Sequence, residues 1–157
     1  MIYVKPDPAP YDDSHYLVLE GRAGIAAGER VKVSLGETVT VGRSRTCQFS
    51  LKKTPRYLND RDGERASIRG SLGYRSVSRR HCRVAYLAPD LVEVVNLSRN
   101  GTFVDGHRVD RIVLDDIRRR LAAHEIRLGR HGDVLGLSCG SVELLAASAG
   151  KSAAPAG

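Results

Sequence analysis

The chain has 157 residues, 41% of them hydrophobic and 27% charged, and a formal net charge of +7. That length makes one domain able to bury a core without metal or disulfide staples. Three cysteines without metal-ligand spacing exclude a disulfide framework and a zinc cluster, and no apolar run is long enough to span a bilayer.

At the N-terminus, Met1 to Pro10 holds no apolar stretch of signal-peptide length, so a cytoplasmic location is expected. Residues 1–13 read as a flexible segment. The Ala/Ser/Gly tail at 147–157 cannot bury enough surface to order itself. Between them, over 14–146, the dominant period is two, the mark of strands with one buried face. Residues 15–20 make the first strand. Val31, Val33 and Leu35 alternate with Arg30, Lys32 and Ser34, and the pattern resumes at Val39 and Val41. A shorter strand is expected over 47–51. Strands at 81–87 and 91–97 flank Ala88-Pro89-Asp90, which is hairpin-turn chemistry. Segments 102–104, 108–114, 125–129, 133–138 and 141–146 complete the series. The fold class this predicts is all-β, an antiparallel β-sandwich of about 10–11 strands.

Cys47 and Cys82 fall on predicted strands and read as small buried hydrophobes in a reducing compartment. The only phenylalanines are Phe49 and Phe103 and there is no tryptophan, so aliphatic side chains must supply most of the core.

Two segments interrupt the rhythm. Residues 52–75 are rich in basic side chains and turn pairs (Thr54-Pro55, Asn59-Asp60, Asp62-Gly63, Gly70-Ser71) and read as a long loop insertion. Tyr57, Leu58, Ile68, Leu72 and Tyr74 are its candidate anchors, and Thr54-Pro55 is also a weak phosphorylation cue. In the second segment, 115–124, Leu114, Ile117 and Leu121 recur at helical spacing. Asp115 and Asp116 precede Arg118, Arg119 and Arg120, so a short helix is expected there.

Charge is concentrated. From Arg43 to Arg83 twelve Lys or Arg face three acids, a net of +9, so the rest of the chain sums to −2. A field of that sign favours an anionic partner. Four short motifs follow in order at the breaks between strands: Gly42-Arg43-Ser44, Ser78-Arg79-Arg80-His81, Asn100-Gly101-Thr102 and Asp105-Gly106. Arginine, serine and asparagine at loop tips suit a phosphate-bearing ligand. None of the four contains a metal cluster or an activated nucleophile, and no cofactor is expected. A Ser78/His81 nucleophile pair is disfavoured, because no acid lies near in sequence to orient the ring.

In these residues the chain resembles the forkhead-associated (FHA) domain, a phosphothreonine-binding β-sandwich. The resemblance spans about residues 15–146 and rests on Gly-Arg-Ser at 42–44, Ser-x-x-His at 78–81 and Asn-Gly-Thr-Phe-Val-Asp-Gly at 100–106. A Gly-Asp step at 132–133 then leads into Val134, Leu135, Gly136 and Leu137. It implies that Arg43 reaches a phosphate oxygen through its guanidinium, where Lys would serve poorly. Ser78 donates a second hydrogen bond, and Arg79 meets phosphate or peptide backbone. Asn100 holds the ligand main chain. Arg99 stands where the family often carries a small hydroxyl residue, and as a rim cation it suits an anionic ligand. Gly42, His81, Gly101, Thr102 and Gly106 are expected to support the loops, His81 as a brace. Arg45, Arg80 and Arg83 read as solvated surface.

The implied function is non-catalytic: a small signalling adaptor that reads phosphothreonine on substrates of Ser/Thr kinases. The expected partner is a phosphothreonine-containing protein, with no membrane role, and the chain is expected to be a monomer. Two other functions compete. Nucleic-acid binding through the basic 43–83 region is disfavoured by its few aromatic side chains. A phospho-independent interaction domain is disfavoured by the intact Arg43, Ser78 and Asn100. The insertion, which enters just before Ser78, is expected to add a basic wall selecting residues on one side of the phosphothreonine.

Overall fold

The computed structural model describes residues 15–58 and 68–140, and the first segment, the 141–146 strand and the tail expected from sequence lie outside the described residues. Two sheets pack face to face. The six-stranded sheet runs β2 (Arg30–Ser34), β1 (Tyr16–Ala23), β11 (Val134–Gly140), β10 (His124–Leu128), β7 (Thr102–Val104), β8 (His107–Val109). The five-stranded sheet runs β4 (Phe49–Ser50), β3 (Thr38–Gly42), β5 (Cys82–Ala88), β6 (Leu91–Asn96), β9 (Arg111–Leu114). All pairs are antiparallel except β3 with β4, where Val41 faces Phe49 and Gly42 faces Ser50 in parallel register.

Alternation along the strands directs the core. Leu17 and Leu19 of β1, Val39 and Val41 of β3, Val84 and Tyr86 of β5, Val92 and Val94 of β6, and Ile126 and Leu128 of β10 all point inward and are buried. Each fully buried aliphatic side chain of this kind contributes roughly 1.5–3 kcal/mol. Aliphatics dominate as expected, yet Tyr57, Tyr74 and Tyr86 join the cluster. The Tyr86 hydroxyl donates to the Pro89 carbonyl at 2.9 Å, which removes the cost of burying it. Cys47 and Cys82 are buried and unpaired. Asp133, also buried, accepts from the N–H groups of Ile25 at 3.1 Å and Ala26 at 2.7 Å, tying the start of β11 to the β1–β2 turn. Burial raises its pKa, against the opposing pull of those two donors.

Three expectations need correction. The strand expected over 108–114 is two strands in different sheets, because the chain crosses between layers at Asp110, whose carbonyl accepts from Asn96 N–H at 2.8 Å. No helix forms over 115–124. Asp116 starts a single turn, its carbonyl accepting from Arg119 and Arg120, and its carboxylate is held 2.8 Å from His124 Nε2, so the chain is drawn directly into β10. The insertion is not all loop. It carries a 3-10 turn at Leu51–Lys53, helix α1 (Pro55–Leu58) and helix α2 (Leu72–Ser76). Tyr57 and Tyr74 anchor it as expected, stacked with ring centres 5.9 Å apart, whereas Leu58 and Leu72 are exposed. Thr54 is buried and caps α1. Its hydroxyl donates to the Leu51 carbonyl at 2.8 Å and accepts from Tyr57 N–H, so it is engaged inside the fold.

Candidate functional site

The first two motifs meet because the backbone on either side of Gly42 and Ser78 is zipped together. Arg43 N–H donates to the Ser78 carbonyl and Ser44 N–H to the Arg79 carbonyl, each at 3.0 Å. This approach leaves no room for a side chain at position 42, since a Cβ there would stand 2.2 Å from the Arg79 carbonyl oxygen. Gly42 therefore sets how closely the two arginine-bearing loops lie. Cys47 strengthens the junction by donating its thiol to the same Arg79 carbonyl at 3.2 Å.

His81 ties three segments. It is fully buried; its Nδ1 accepts from Ser78 N–H at 3.1 Å and its Nε2 lies 2.8 Å from the Gly101 carbonyl. That pattern requires the neutral ring with the proton on Nε2. Burial lowers its pKa, only partly offset by the bond to Gly101. The main chain of His81 also pairs with Val41 and Leu97.

The 97–101 loop is organised by Asn96, which the sequence reading passed over. Its Oδ1 accepts from Ser98 N–H, the Ser98 hydroxyl and the Thr102 hydroxyl, while its Nδ2 donates to the Ser98 carbonyl. Ser98 Oγ in turn accepts from Gly101 N–H. Thr102 is buried within this network. Asn100 sits exposed at the tip, with its Nδ2 donating to the Ser76 carbonyl at 3.0 Å. Arg99 is exposed, and its carbonyl accepts from Arg108. Gly106 stands apart. With Asp105 it forms a two-residue turn between β7 and β8, both with positive φ (50° and 85°), the geometry of a type I′ hairpin.

Arg43, Ser44, Arg45, Lys52 and Arg79 line a cavity of about 540 Å³. Among the described residues none of its four cations is in a salt bridge. Arg45, an exposed side chain, is on that wall, and Lys52 comes from the insertion. The cavity wall includes neither Ser78 nor Asn100, and Arg80 and Arg83 are likewise absent from it. Of the other insertion cations described, Lys53 donates to the Cys47 carbonyl at 3.0 Å and Arg56 to the Gly24 carbonyl at 3.2 Å. Arg61 and Arg65 lie outside the described residues.

Arg43 is held from below. Its guanidinium lies over the Tyr74 ring at 5.2 Å, and its Nε is buried with no hydrogen-bond partner among the described residues. Helix α2 therefore touches the site twice, through Tyr74 under Arg43 and through the Ser76 carbonyl under Asn100. No group of three or more metal-ligating side chains occurs among the described residues. Nor is any described helix long and apolar enough to cross a membrane.

No curated protein sequence matches the chain. Solved structures that resemble it include an FHA domain from Chlamydia trachomatis (21% identity, 78% of this chain and 96% of that one, TM-score 0.52). An FHA domain from Arabidopsis thaliana is similar over 85% of this chain and 93% of its own, at 16% identity and TM-score 0.56. A third was solved in a study of phosphothreonine-dependent FHA domain interactions (22% identity, 78% of this chain and 95% of that one, TM-score 0.52). These likenesses are of fold. The family model for the FHA domain matches residues 39–120, the stretch that carries all four motifs, and the chain belongs to that family.

Proposed function

We propose that this chain is a non-catalytic reader of phosphothreonine on protein partners, acting as a small adaptor for substrates of Ser/Thr kinases. The observation that carries the reading is the cavity walled by Arg43 and Arg79, whose cations no acid neutralises among the described residues. A phosphate supplies the missing charge, and guanidinium groups bind it through paired, charge-assisted hydrogen bonds. Arg43 takes phosphate oxygens from its seat on Tyr74. Arg79 approaches from the facing loop, and the Ser78 hydroxyl adds a donor. Asn100, fixed by one amide hydrogen to Ser76, keeps its carbonyl oxygen for the ligand backbone. Arg99 adds positive field at the rim.

Membership of the FHA family supports the reading, as does a similar structure whose interactions are phosphothreonine-dependent. The absence of chemistry is supported by His81. Its Nδ1 is spent on Ser78 N–H and its Nε2 on the Gly101 carbonyl, so neither nitrogen remains as a base for the Ser78 hydroxyl. The test is titration with a threonine peptide in phosphorylated and unphosphorylated forms. Phosphate should raise affinity at least about a hundredfold, and Arg43→Ala should abolish most of that gain. Equal affinity for both forms would sink the reading.

A further inference from the structure

We propose that Thr46 is a phosphorylation site, and that its phosphate turns into this chain's own basic cavity and closes it to phosphopeptides. The inference rests on the phosphothreonine reading above and adds the regulation of that site. The step needs a nucleoside triphosphate and a Ser/Thr kinase acting in trans. The γ-phosphoryl group passes to Thr46 Oγ1, and the new O–P bond replaces the β,γ-bridging one. A nucleoside diphosphate leaves, and the hydroxyl proton goes to the base of the kinase.

Access singles out Thr46 among the five threonines of the chain. Thr54 and Thr102 are buried. Thr38 and Thr40 lie within β3, paired in register with Ala85 and Arg83. Thr46 is exposed, on the turn between β3 and β4 and outside both strands. Arg43 and Arg45 precede it, which suits a kinase that selects its substrates by basic charge ahead of the acceptor.

The turn holds the acceptor against the cavity. Thr46 Oγ1 lies 2.8 Å from Ser44 Oγ, which also accepts from Thr46 N–H at 3.2 Å. Ser44 is itself on the cavity wall. Both ends of the turn are fixed. Ser44 N–H donates to the Arg79 carbonyl and Cys47 N–H to the Ser44 carbonyl, each at 3.0 Å. The Cys47 carbonyl accepts from Lys53, also at 3.0 Å. A phosphoryl group on Oγ1 therefore stands one bond from an atom already in contact with the wall, with the Ser44 hydroxyl as a donor to it.

Charge completes the argument. A phosphothreonine carries about −1.5 to −2 at neutral pH, and beside arginines it gains about one to three charge-assisted hydrogen bonds. The wall presents four cations without an acidic partner among the described residues. A phosphate on Thr46 cancels about half of that charge. It also repels an incoming phosphate from the same space.

The test uses the full chain, unmodified or with phosphothreonine installed at position 46, titrated with a peptide carrying one phosphothreonine in a neutral background. The phosphorylated chain should bind at least about tenfold more weakly, whereas Thr46→Ala should bind within about twofold of the parent. The phosphorus resonance of the modified chain should titrate at lower pH than that of a free phosphothreonine peptide, and Arg45→Gln should move it back. A panel of kinases of basic preference, supplied with ATP, should modify Thr46 of the folded chain, as read by mass spectrometry. Three results would overturn the inference alone: undiminished affinity in the phosphorylated chain, no transfer to Thr46 by any kinase of the panel, or a dimer of the phosphorylated chain that Arg43→Ala abolishes. The last would mean that a second copy reads the phosphate. Equal binding of phosphorylated and unphosphorylated peptides by the unmodified chain is a different outcome, which overturns the phosphothreonine reading and this inference with it.

Discussion

The guanidinium of Arg43 lies 5.2 Å above the ring of Tyr74, so the arginine of the first motif is seated on a side chain from the basic insertion, not on the sandwich. Tyr74 is itself buried and stacked on Tyr57. An arginine fixed in this way loses less side-chain freedom when a ligand binds, and that saving appears as affinity.

Replacing Tyr74 should therefore weaken phosphopeptide binding without touching the ligand. Tyr74→Phe keeps the ring and should bind within about twofold of the parent. Tyr74→Leu removes a cation–π contact of about 1–2 kcal/mol, which corresponds to roughly a five- to thirtyfold loss of affinity. Calorimetric titration of both variants, each first shown folded by its urea transition, separates the seat from simple destabilisation. Equal affinities for Phe and Leu would remove Tyr74 from the site.

Gly42→Ala tests the junction of the two arginine loops. The added methyl would meet the Arg79 carbonyl oxygen at 2.2 Å and the Ser78 carbonyl oxygen at 2.9 Å, both backbone atoms that cannot swing aside. The loops must part, at a cost of about 1–3 kcal/mol of stability. Because Arg43 and Arg79 then separate, phosphopeptide affinity should fall as well. Urea denaturation and titration measure the two effects independently.

Stability should depend on pH through His81. Its folded pKa lies below the ordinary value of 6.5 because burial penalises the charged ring. The unfolded chain thus binds the proton more readily. The contribution of neutral His81 is complete above about pH 6.5 and declines as pH falls from there toward the lower folded value. His81→Ala should cost about 2–5 kcal/mol, since it opens a cavity and orphans Ser78 N–H and the Gly101 carbonyl. Denaturation midpoints between pH 5 and 8 check both statements. The variant should show a flatter profile than the parent across that window.

Much of this architecture was legible because period-two alternation and tight-turn pairs are local signals. Val39 and Val41, Val92 and Val94, and the Asp105-Gly106 turn behave as their own neighbourhoods dictate. What escaped depends on distant partners. The break at Asp110 serves a change of sheet that β8 and β9 do not announce. Asp115 to Arg120 has helical spacing and end charges, yet His124 captures Asp116 before a helix can extend. In the site, Arg43 and Arg79 share one cavity, whereas Ser78 and Asn100 lie outside its wall. Asn96 gave a faint cue as an amide at a strand end, where Asx side chains organise turns. Tyr74 gave none, because an aromatic residue in a polar insertion looks the same whether it supports the body or a functional arginine. Lys52 was one of many basic residues until the fold brought it beside Arg45.

The last prediction concerns the turn that carries Gly106. His124 is buried, with Nδ1 2.6 Å from Asp105 Oδ2 and Nε2 2.8 Å from Asp116 Oδ1. Asp105 Oδ1 also accepts from Glu125 N–H at 2.8 Å. Burial would raise the Asp105 pKa, but the Glu125 N–H and His124 outweigh it and the net shift is downward. For Asp116 the hydrogen bond to His124 leads the lowering, against a smaller desolvation penalty. Both carboxylates therefore hold their protons less tightly in the folded chain than in the unfolded one. The stability they contribute is present above the ordinary value of 3.8 and is lost as pH falls through the lower folded values. His124→Gln should lower stability at pH 7 by about 1–3 kcal/mol, by leaving the two carboxylates without their shared partner. It should also reduce the steepness of acid unfolding, because the shifts in both aspartates depend on the ring. Phosphopeptide affinity at neutral pH should change little, since His124, Asp105 and Asp116 are all absent from the cavity wall. A titration showing a large loss of affinity in a variant with an intact urea transition would place the hairpin within the binding surface instead.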